Sequence, residues 1–378
     1  MDRRHLFRTG LAAAGLSALP TLVRADAPII PIRVNAPDVF RTTVCLRPFR
    51  AAGPRIETEV VGRKIVVHNY GHGGSGWSLS WGSAEAAVKL AMQSSPEKIA
   101  VIGAGALGLT AAITAQRAGA DVTIYARERF PFVRSARATG SWTPDSRIAK
   151  TAAVDAGFAD RWERMARTSL VLHRGFVGLG GNPVEWMDQY VLRKPPAPEL
   201  APSSLPPAVE PEDPGFVYLE DRLRDVVPRF HAYTGVHPFN AGEIRRGTIM
   251  TFNVASYCHQ LESDFLAAGG RFEAMEFHTP SDLSRLKEKV VVNCTGYGAR
   301  ALFRDESITP VRGQIVWLVP QADVHYGLYI SGLLVLARRD GIVVQATGGE
   351  MSGWNDDNET PDSIAAQAAL DRLKSIYA

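Results

Sequence analysis

Cysteine is scarce in this sequence. The three cysteines, Cys45, Cys258 and Cys294, are widely spaced and form none of the paired spacings that bind zinc or staple small domains. After the N-terminus, no apolar run is long enough to cross a bilayer. The G-x-S-x-G turn of serine hydrolases and the G-x-x-x-x-G-K-[ST] loop of nucleotide triphosphatases are both missing. These absences predict buried thiols, no metal and no stable membrane insertion, and they argue against hydrolysis and triphosphate cleavage.

Charge of either sign is hardly in excess. The 378 residues carry a formal net charge of +3, which comes from Arg3, Arg4, Arg8 and Arg24 set against Asp2. Without residues 1 to 25, basic and acidic side chains are equal in number. The charge balance therefore gives no argument for nucleic-acid binding.

The first 25 residues have the regions of an export signal. An arginine pair, Arg3 and Arg4, precedes an apolar run over residues 11 to 23 and small residues at Ala25 and Ala27. This pattern resembles a twin-arginine signal, which implies that the twin-arginine translocase exports the folded chain to the periplasm or beyond. The alternative is a basic N-terminal helix that stays attached.

Hydrophobic periodicity predicts alternating strands and helices. Residues 26 to 40 read as a surface arm, residues 151 to 180 as helical and the Pro-rich residues 195 to 214 as a long surface loop. A helix over residues 78 to 93 has Ser80 or Ser83 as its expected cap. The remaining strands are expected at residues 55–60, 64–70, 99–102, 122–125, 248–254, 271–277, 289–296, 312–319 and 341–349, and the remaining helices at 107–118, 255–270 and 363–377.

The motif IGAGALG places Gly103, Gly105 and Gly108 between a strand and a helix. The first glycine permits a tight turn, the second lets the backbone approach a pyrophosphate, and the third lets the helix pack on the strand. Glu128, at the tip of the second strand, would accept ribose hydroxyls, whereas Arg127 beside it would pair with a 2′-phosphate. The motif predicts dinucleotide binding and leaves FAD and NADP both open.

A second glycine loop, GHGGSG, covers residues 71 to 76. Its backbone amides and the helix behind them favour partial negative charge, such as develops on a reduced flavin. A metal site is disfavoured because His68 and His72 lie on a strand and a loop and share no helical face. An esterase oxyanion loop is disfavoured because the nucleophile turn is missing.

The stretch VVHNYGHGGSGWSLSWGSA, residues 66 to 84, resembles the C-terminal signature of the FAD-dependent D-amino-acid oxidase family. Four more stretches of this sequence resemble segments of that family: CLRPFR (45–50), SARATGSWTP (135–144), VVVNCTGYGARAL (290–302) and PVRGQIVWL (310–318). In the family, the strand-helix-strand unit opens the chain and the signature closes it. Here the signature comes first, so the chain resembles a circular permutant.

The resemblance implies a set of site residues. Arg47 would hold a substrate carboxylate, Gly74 would lie at the reacting part of the flavin, and Tyr329 or Tyr326 would cover the substrate. Ser75 stands where the family has a tyrosine, which puts the amino-acid substrate in doubt more than the flavin. The implied FAD contacts are Gly73, Gly74, Ser75, Gly76, Trp77, Ser78, Gly103, Gly105, Ala106, Leu107, Gly108, Arg127, Glu128, Ser135, Gly140, Ser141, Trp142, Phe277, Thr295 and Gly296.

The expected fold is α/β: a Rossmann-like, doubly wound FAD-binding domain interleaved with a mixed-sheet substrate domain. After the signal, residues 26–60, 151–247 and 312–378 are assigned to the substrate domain, and residues 61–150 and 248–311 to the FAD domain. The expected activity is oxidation of the C–N bond of a small carboxylate-bearing amine, such as a D-amino acid, with oxygen or a quinone as acceptor. The alternatives are an amine dehydrogenase that reduces a quinone, an NADP-dependent reductase and a flavin-bound binding protein without turnover.

Overall fold

The computed structural model describes residues 28 to 193, 215 to 330, 332 to 349 and 351 to 377. The expected export signal and the Pro-rich loop lie outside these residues. Within the described part of the chain, no helix combines the length and apolar character needed to cross a membrane.

The described residues form fourteen strands and six α-helices, joined by turns and short 3-10 helices. The strands are β1 (Val39–Arg50), β2 (Arg55–Val61), β3 (Lys64–Tyr70), β4 (Lys98–Ile102), β5 (Asp121–Ala126), β6 (Val184–Arg193), β7 (His231–Ala232), β8 (Glu243–Phe252), β9 (Arg271–Ala274), β10 (Val290–Asn293), β11 (Ile308–Leu318), β12 (Gly327–Ile330), β13 (Leu333–Arg338) and β14 (Gly341–Ala346). The helices are α1 (Gly76–Ala91), α2 (Ala106–Arg117), α3 (Phe158–Arg174), α4 (Val254–Ala267), α5 (Gly298–Leu302) and α6 (Ser363–Lys374).

One sheet has six strands in the order β2-β3-β10-β4-β5-β9. Strand β2 is antiparallel to β3, and the other neighbours pair in parallel. Residues of β4 alternate between the two faces: Ile99 and Val101 pack on the side of helices α1, α2 and α4, and Ala100 and Ile102 pack in a separate cluster. This burial on both faces explains why β4 reads as an unbroken apolar run.

The second sheet has eight strands in the order β1-β11-β14-β13-β12-β6-β8-β7. Its pairs are antiparallel except for β12 with β6. One face contributes Ile315, Trp317 and Leu336 to a small apolar cluster, while the other packs against α6 through a larger one. The protein is thus a mixed α/β molecule with two mixed sheets, as the sequence predicts.

Several boundaries differ from the sequence prediction. Helix α1 begins at Gly76, so Ser80 and Ser83 lie buried inside it and cap nothing. The arm before β1 is not purely a surface segment, since Ile32 is buried in the larger cluster. Helix α3 covers only the middle of the predicted residues 151 to 180.

The expected domain segments need correction at three places. Their boundaries at residues 60/61, 247/248 and 311/312 cut through β2, β8 and β11. Strand β2 belongs to the six-stranded sheet, and β8 and β11 belong entirely to the eight-stranded sheet. Hydrogen bonding along a whole strand, rather than a change in composition, decides which sheet holds it.

Candidate active site

A cavity of about 820 Å³ is lined by residues from both sheets. The six-stranded sheet contributes the carboxyl ends of its central strands, including Ile102 of β4 and Ala126 of β5. Ligands of open parallel sheets bind at this edge, where strand ends and helix N-termini meet. The eight-stranded sheet contributes Arg47 of β1, Leu334 of β13 and Gln345 of β14.

The glycine turn between β4 and α2 lies at this edge. Gly103 has a φ of +101°, a conformation that favours glycine, and a Cβ on Gly108 would lie 1.9 Å from the carbonyl oxygen of Gly103. Gly108 therefore allows α2 to pack against the turn, while Gly103 and Gly105 line the cavity. The amide of Ala106 donates to Ser135 Oγ at 3.0 Å, which brings the 135–144 segment to the start of the helix.

Arg127 and Glu128 lie at the end of β5 and both line the cavity. The Arg127 guanidinium donates to Glu276 at 2.9 Å and to Glu128 at 3.3 Å. Both carboxylates raise the pKa of the guanidinium, Glu276 more strongly. Arg127 and Glu128 are both exposed and paired with each other, so this corner offers a carboxylate for ribose hydroxyls and a guanidinium for a 2′-phosphate.

Three residues of the GHGGSG loop, Gly73, Gly74 and Gly76, line the same cavity as the glycine turn. Two of its amides are used within the protein: Gly74 donates to the carbonyl of Ser146 and Ser75 to the carbonyl of His72. The predicted donation to a ligand therefore falls to the first turn of α1, whose amides lack intrahelical partners. A Cβ on Gly76 would meet no atom within 4 Å, so the backbone is open on that side.

A hydrogen-bonded chain anchors this loop. His72 Nε2 lies 2.7 Å from Ser83 Oγ, and the Ser83 hydroxyl in turn donates to Asn69 Oδ1. Because the Ser83 hydroxyl donates its proton to Asn69, Ser83 Oγ can only accept from His72. The His72 proton is therefore on Nε2, and Nδ1 is the unprotonated nitrogen. Burial lowers the pKa of His72 to about 3, so the imidazole is neutral.

Arg47 projects from β1 into the cavity. Its guanidinium lies over Gly313 of β11, where a Cβ would come within 2.3 Å of a guanidinium nitrogen. Burial lowers the pKa of Arg47, with a small opposing effect from Cys45. Among the residues that the structure describes, no carboxylate or hydrogen-bond acceptor pairs with this guanidinium. A half-buried cation without a counter-ion in a cavity wall indicates an anionic ligand.

Arg50, the other arginine of the segment, has a different environment. It donates to Ser307 Oγ at 2.9 Å and to the carbonyl of Gly53 at 3.0 Å, and it lies 3.5 Å from Asp305. Arg50 does not line the cavity. Arg50 is therefore a structural residue, whereas Arg47 is the arginine that lines the cavity, as the resemblance implies for a carboxylate-binding residue.

Some expected site residues do not line the cavity: Gly108, Ser75, Ser78, Trp142, Tyr326 and Tyr329. Ser75 donates to the carbonyl of Ser146, and Ser78 accepts from the amide of Thr143, so both serines shape the loop from behind. Tyr326 is buried elsewhere and Tyr329 is 40% exposed on β12. Neither candidate lid tyrosine lines the cavity, although Tyr329 is the register partner of Leu334, which does.

The other expected contacts are all in the cavity wall: Trp77, Gly105, Ala106, Leu107, Ser135, Gly140, Ser141, Phe277, Thr295 and Gly296. Cys258 and Cys294 are buried as predicted, but Cys45 is only half-buried and lines the cavity. The described residues contain no cluster of three histidine, cysteine or acidic side chains able to hold a metal ion.

Comparison with known proteins identifies the family. The DAO family model, described as FAD dependent oxidoreductase, matches residues 98 to 378. The chain belongs to this family. Membership makes the protein an FAD-dependent oxidoreductase and FAD its cofactor, which resolves the choice that the glycine motif leaves open.

Curated relatives of the DAO-family chain include two bacterial D-amino-acid oxidases. The one from Streptomyces coelicolor is 29% identical over 231 residues, which are 60% of this chain and 61% of that protein. The one from Rubrobacter xylanophilus is 27% identical over 280 residues, 73% of this chain and 76% of that protein. A D-amino-acid oxidase from Dictyostelium discoideum is 48% identical over 65 residues, 17% of this chain and 18% of that protein. The chain thus spans less than two thirds of the Streptomyces and Dictyostelium proteins.

Solved structures that match the chain include an L-amino acid deaminase from Proteus vulgaris and an iminodiacetate oxidase from Chelativorans sp. BNC1. The first matches with a TM-score of 0.47 and 11% identity, and the match covers 75% of this chain and 80% of that chain. The second has a TM-score of 0.48 and 13% identity, and covers 74% of this chain and 78% of its own.

The residues present fit the FAD of a DAO-family protein. The cavity volume lies within the range of cofactor sites, roughly 300 to 1,000 Å³. Gly103 and Gly105 leave the backbone bare for a pyrophosphate at the start of α2. Glu128 would meet the adenosine end of the cofactor, and Gly73, Gly74 and Gly76 leave further bare backbone in the cavity wall.

Sequence reasoning missed several cavity residues of this DAO-family site. The eight-stranded sheet contributes Leu334 and Gln345, and Thr347 follows directly after β14. The 135–144 segment contributes Thr139. One signal was available for Gln345: it is a polar residue inside the apolar run GIVVQA. Arg134 and Arg137 were also missed, and both pair with Glu359.

Proposed function

We propose that the protein oxidises the C–N bond of a small amine that carries a carboxylate, most simply a D-amino acid. The observation that carries this proposal is Arg47, a half-buried guanidinium in the cavity wall with no counter-ion among the described residues. Guanidinium geometry suits a bidentate bond to a carboxylate. The names of the Streptomyces and Rubrobacter relatives support the same substrate class.

In this reaction Arg47 holds the substrate carboxylate and thereby fixes the direction of the Cα–H bond. FAD, when bound, would supply the acceptor for the hydride that leaves Cα. The amine nitrogen loses a proton as the C=N bond forms, and water then converts the imine to a keto acid and ammonia. The two electrons pass on to oxygen, which gives peroxide, or to a quinone.

The deciding experiment is an anaerobic screen of the FAD-loaded protein against D-amino acids, L-amino acids and amines without a carboxylate. Bleaching of the visible flavin absorbance reports substrate oxidation without an acceptor. We expect bleaching by D-amino acids and little by amines that lack a carboxylate. Bleaching by simple amines alone, or by none of the compounds, would overturn the proposal.

We also propose that the chain is a circular permutant of the family order. The family model matches from residue 98 onward, and the segment that resembles the family's C-terminal signature precedes this match. The GHGGSG loop and the IGAGALG turn nevertheless line the same cavity. Ile30 and Tyr377, near the two ends of the described residues, lie close together because both contact the hydroxyl of Tyr326. Tyr326 Oη donates to the carbonyl of Ile30 at 2.7 Å and lies 3.0 Å from the hydroxyl of Tyr377.

Export through the twin-arginine translocase is a further proposal, supported by Arg3, Arg4 and the apolar run after them. Cell fractionation should find a mature protein that begins near Asp26 outside the cytoplasm. Replacement of Arg3 and Arg4 by lysine should retain the precursor in the cytoplasm. Unchanged export of this double variant would remove the twin-arginine assignment.

A further inference from the structure

We propose that Gln345 determines substrate specificity by donating a hydrogen bond from its carboxamide to the substrate side chain. The enzyme then favours D-amino acids with a short polar side chain over apolar ones of the same size. This inference rests on the proposed oxidation of amino acids and names the substrate class of that site.

Gln345 is buried yet incompletely bonded. Its side chain is only 5% exposed, and it lines the cavity. The hydroxyl of Thr139 donates to Oε1 of the carboxamide. Within the described part of the chain, Nε2 has no hydrogen-bond partner. The amide nitrogen is open to the cavity, where the acceptor atom of a ligand can take the place of water.

The position of the carboxamide is fixed from behind. Arg338 donates to the carbonyls of Ala138 and Thr139 at 2.9 and 2.8 Å. The same guanidinium is paired with Asp340 and is buried. Thr139 therefore holds Oε1 of Gln345 from a rigid segment, and the remaining amide hydrogens stay on the cavity side.

Gln345 and Arg47 are presented to the cavity by the same sheet. Strand β11 lies between β1 and β14, and the Arg47 guanidinium lies over Gly313 of β11. The ladder between β11 and β14 ends at Val316 and Val344, one residue before Gln345 on β14 and three residues from Gly313 on β11. With strands about 4.8 Å apart and a rise of about 3.4 Å per residue, the backbones of Gln345 and Gly313 are at least about 8 Å apart.

This separation suits a small amino acid. With its carboxylate on Arg47, the substrate can direct a side chain of two or three atoms towards Gln345. Leu334, the register partner of Gln345 on β13, supplies the apolar surface beside the amide. An apolar side chain in that place would leave the Gln345 donor desolvated and unpaired, which is the basis of strong discrimination.

The test compares D-asparagine with D-leucine, which have side chains of similar size and different polarity. In the FAD-loaded protein, kcat/KM should be at least 10-fold higher for D-asparagine. Gln345→Met, a change of similar volume, should lower kcat/KM for D-asparagine by roughly 10- to 100-fold and leave D-leucine within about threefold. Gln189→Met is the matched control, because Gln189 is a buried glutamine of the same sheet that does not line the cavity.

The outcomes separate the possible failures. Equal losses for both substrates in Gln345→Met, or a preference of the unsubstituted enzyme for D-leucine, would overturn this inference and leave amino-acid oxidation standing. A changed flavin spectrum or weaker FAD binding in Gln345→Met would assign the amide to the cofactor instead. If the methionine variant does not fold, Gln345→Asn, which keeps the amide on a shorter stem, must still lower the asparagine-to-leucine ratio. Absence of turnover with any amino acid would overturn the proposed function itself.

Discussion

The guanidinium of Arg47 occupies the space that a side chain on Gly313 would fill. Cys45, two residues before Arg47 in β1, is the register partner of Gly313 in β11. A Cβ on Gly313 would lie 2.3 to 2.7 Å from three atoms of the guanidinium. The glycine thus lets the arginine lie flat across the neighbouring strand, with its donors at the cavity.

Gly313→Ala should therefore displace the Arg47 guanidinium without touching the cofactor. We expect KM for a carboxylate-bearing substrate to rise by roughly 10-fold or more, since a small shift of a bidentate donor costs alignment with the carboxylate. The flavin spectrum should stay the same. Steady-state kinetics with titration of a competitive carboxylate ligand would measure the effect.

Gly327→Ala provides the control for that experiment. Gly327 lies in the same sheet, and its added Cβ would contact the flexible side chain of Leu336 at 2.8 Å. It should cost some stability and leave KM unchanged. If both alanine variants raise KM equally, the effect comes from sheet distortion and not from Arg47.

Arg47→Ala should leave FAD bound and reduce kcat/KM for carboxylate-bearing substrates by roughly 10²- to 10³-fold, because a desolvated charge-assisted pair is lost. Arg47→Lys should recover only part of the loss, since an ammonium cannot reproduce the planar fork. Amines without a carboxylate should be affected much less. Substrate-saturation curves for each variant measure these differences.

Arg50→Ala tests whether the right arginine has been chosen. Arg50 holds Ser307, Gly53 and Asp305 together, so its loss should lower the melting temperature and spare the kinetics. Selective loss of carboxylate substrates in Arg50→Ala, with normal turnover in Arg47→Ala, would reverse the assignment.

The cofactor end of the site was predictable because its signals are local. The glycine motif placed β4, α2 and β5 to within a residue or two, since turn, helix start and strand follow one another along the chain. The start of α1 was not predictable in the same way. Ser83 looks like a capping residue in sequence, but its hydroxyl bonds to Asn69 and His72, which only the folded loop brings near.

The substrate end depends on contacts between distant segments. The resemblance implies Tyr329 as a substrate cover, and its register partner on β13 is Leu334 of the cavity wall, so Tyr329 lies beside the wall without lining it. Gln345 was not expected there, although the pairing of β14 with β13 and the bond to Thr139 place it in the wall. Strand order cannot be read from local periodicity, so neither outcome follows from the sequence alone.

His173 predicts a loss of stability in mild acid. Tyr257 Oη lies 2.8 Å from Nδ1 and donates to it, while Nε2 donates to the carbonyl of Trp77 at 3.1 Å. Burial lowers the pKa of His173 to about 3. In the unfolded chain His173 binds a proton near pH 6.5, whereas in the folded protein it stays neutral until about pH 3. The free energy of unfolding therefore falls as pH drops from about 6.5 towards 3.

From pH 7 to pH 5 this single histidine should cost about 2 kcal/mol of unfolding free energy. His173→Gln should be less stable at pH 7 but should lose about 2 kcal/mol less over that interval. Urea unfolding at both pH values, with saturating FAD, measures the difference. An identical pH dependence in the two proteins would show that His173 is protonated in the fold.

Reordering the chain should preserve the fold if the permutant interpretation is right. Ile30 and Tyr377 both bond to the hydroxyl of Tyr326, so a linker of six glycine and serine residues, reaching about 20 Å, can join them. The new chain would begin at residue 96, after the exposed Ser95, run to residue 377 and continue through the linker into residues 30 to 95. It should bind FAD and keep kcat/KM within about 10-fold, because no strand or helix is cut.

A matched chain opened between Ala111 and Ala112, inside the buried helix α2, should fail to bind FAD. If the chain opened at Ser95 fails in the same way, the connection from α1 to β4 is needed for folding and the family order does not suit this sequence.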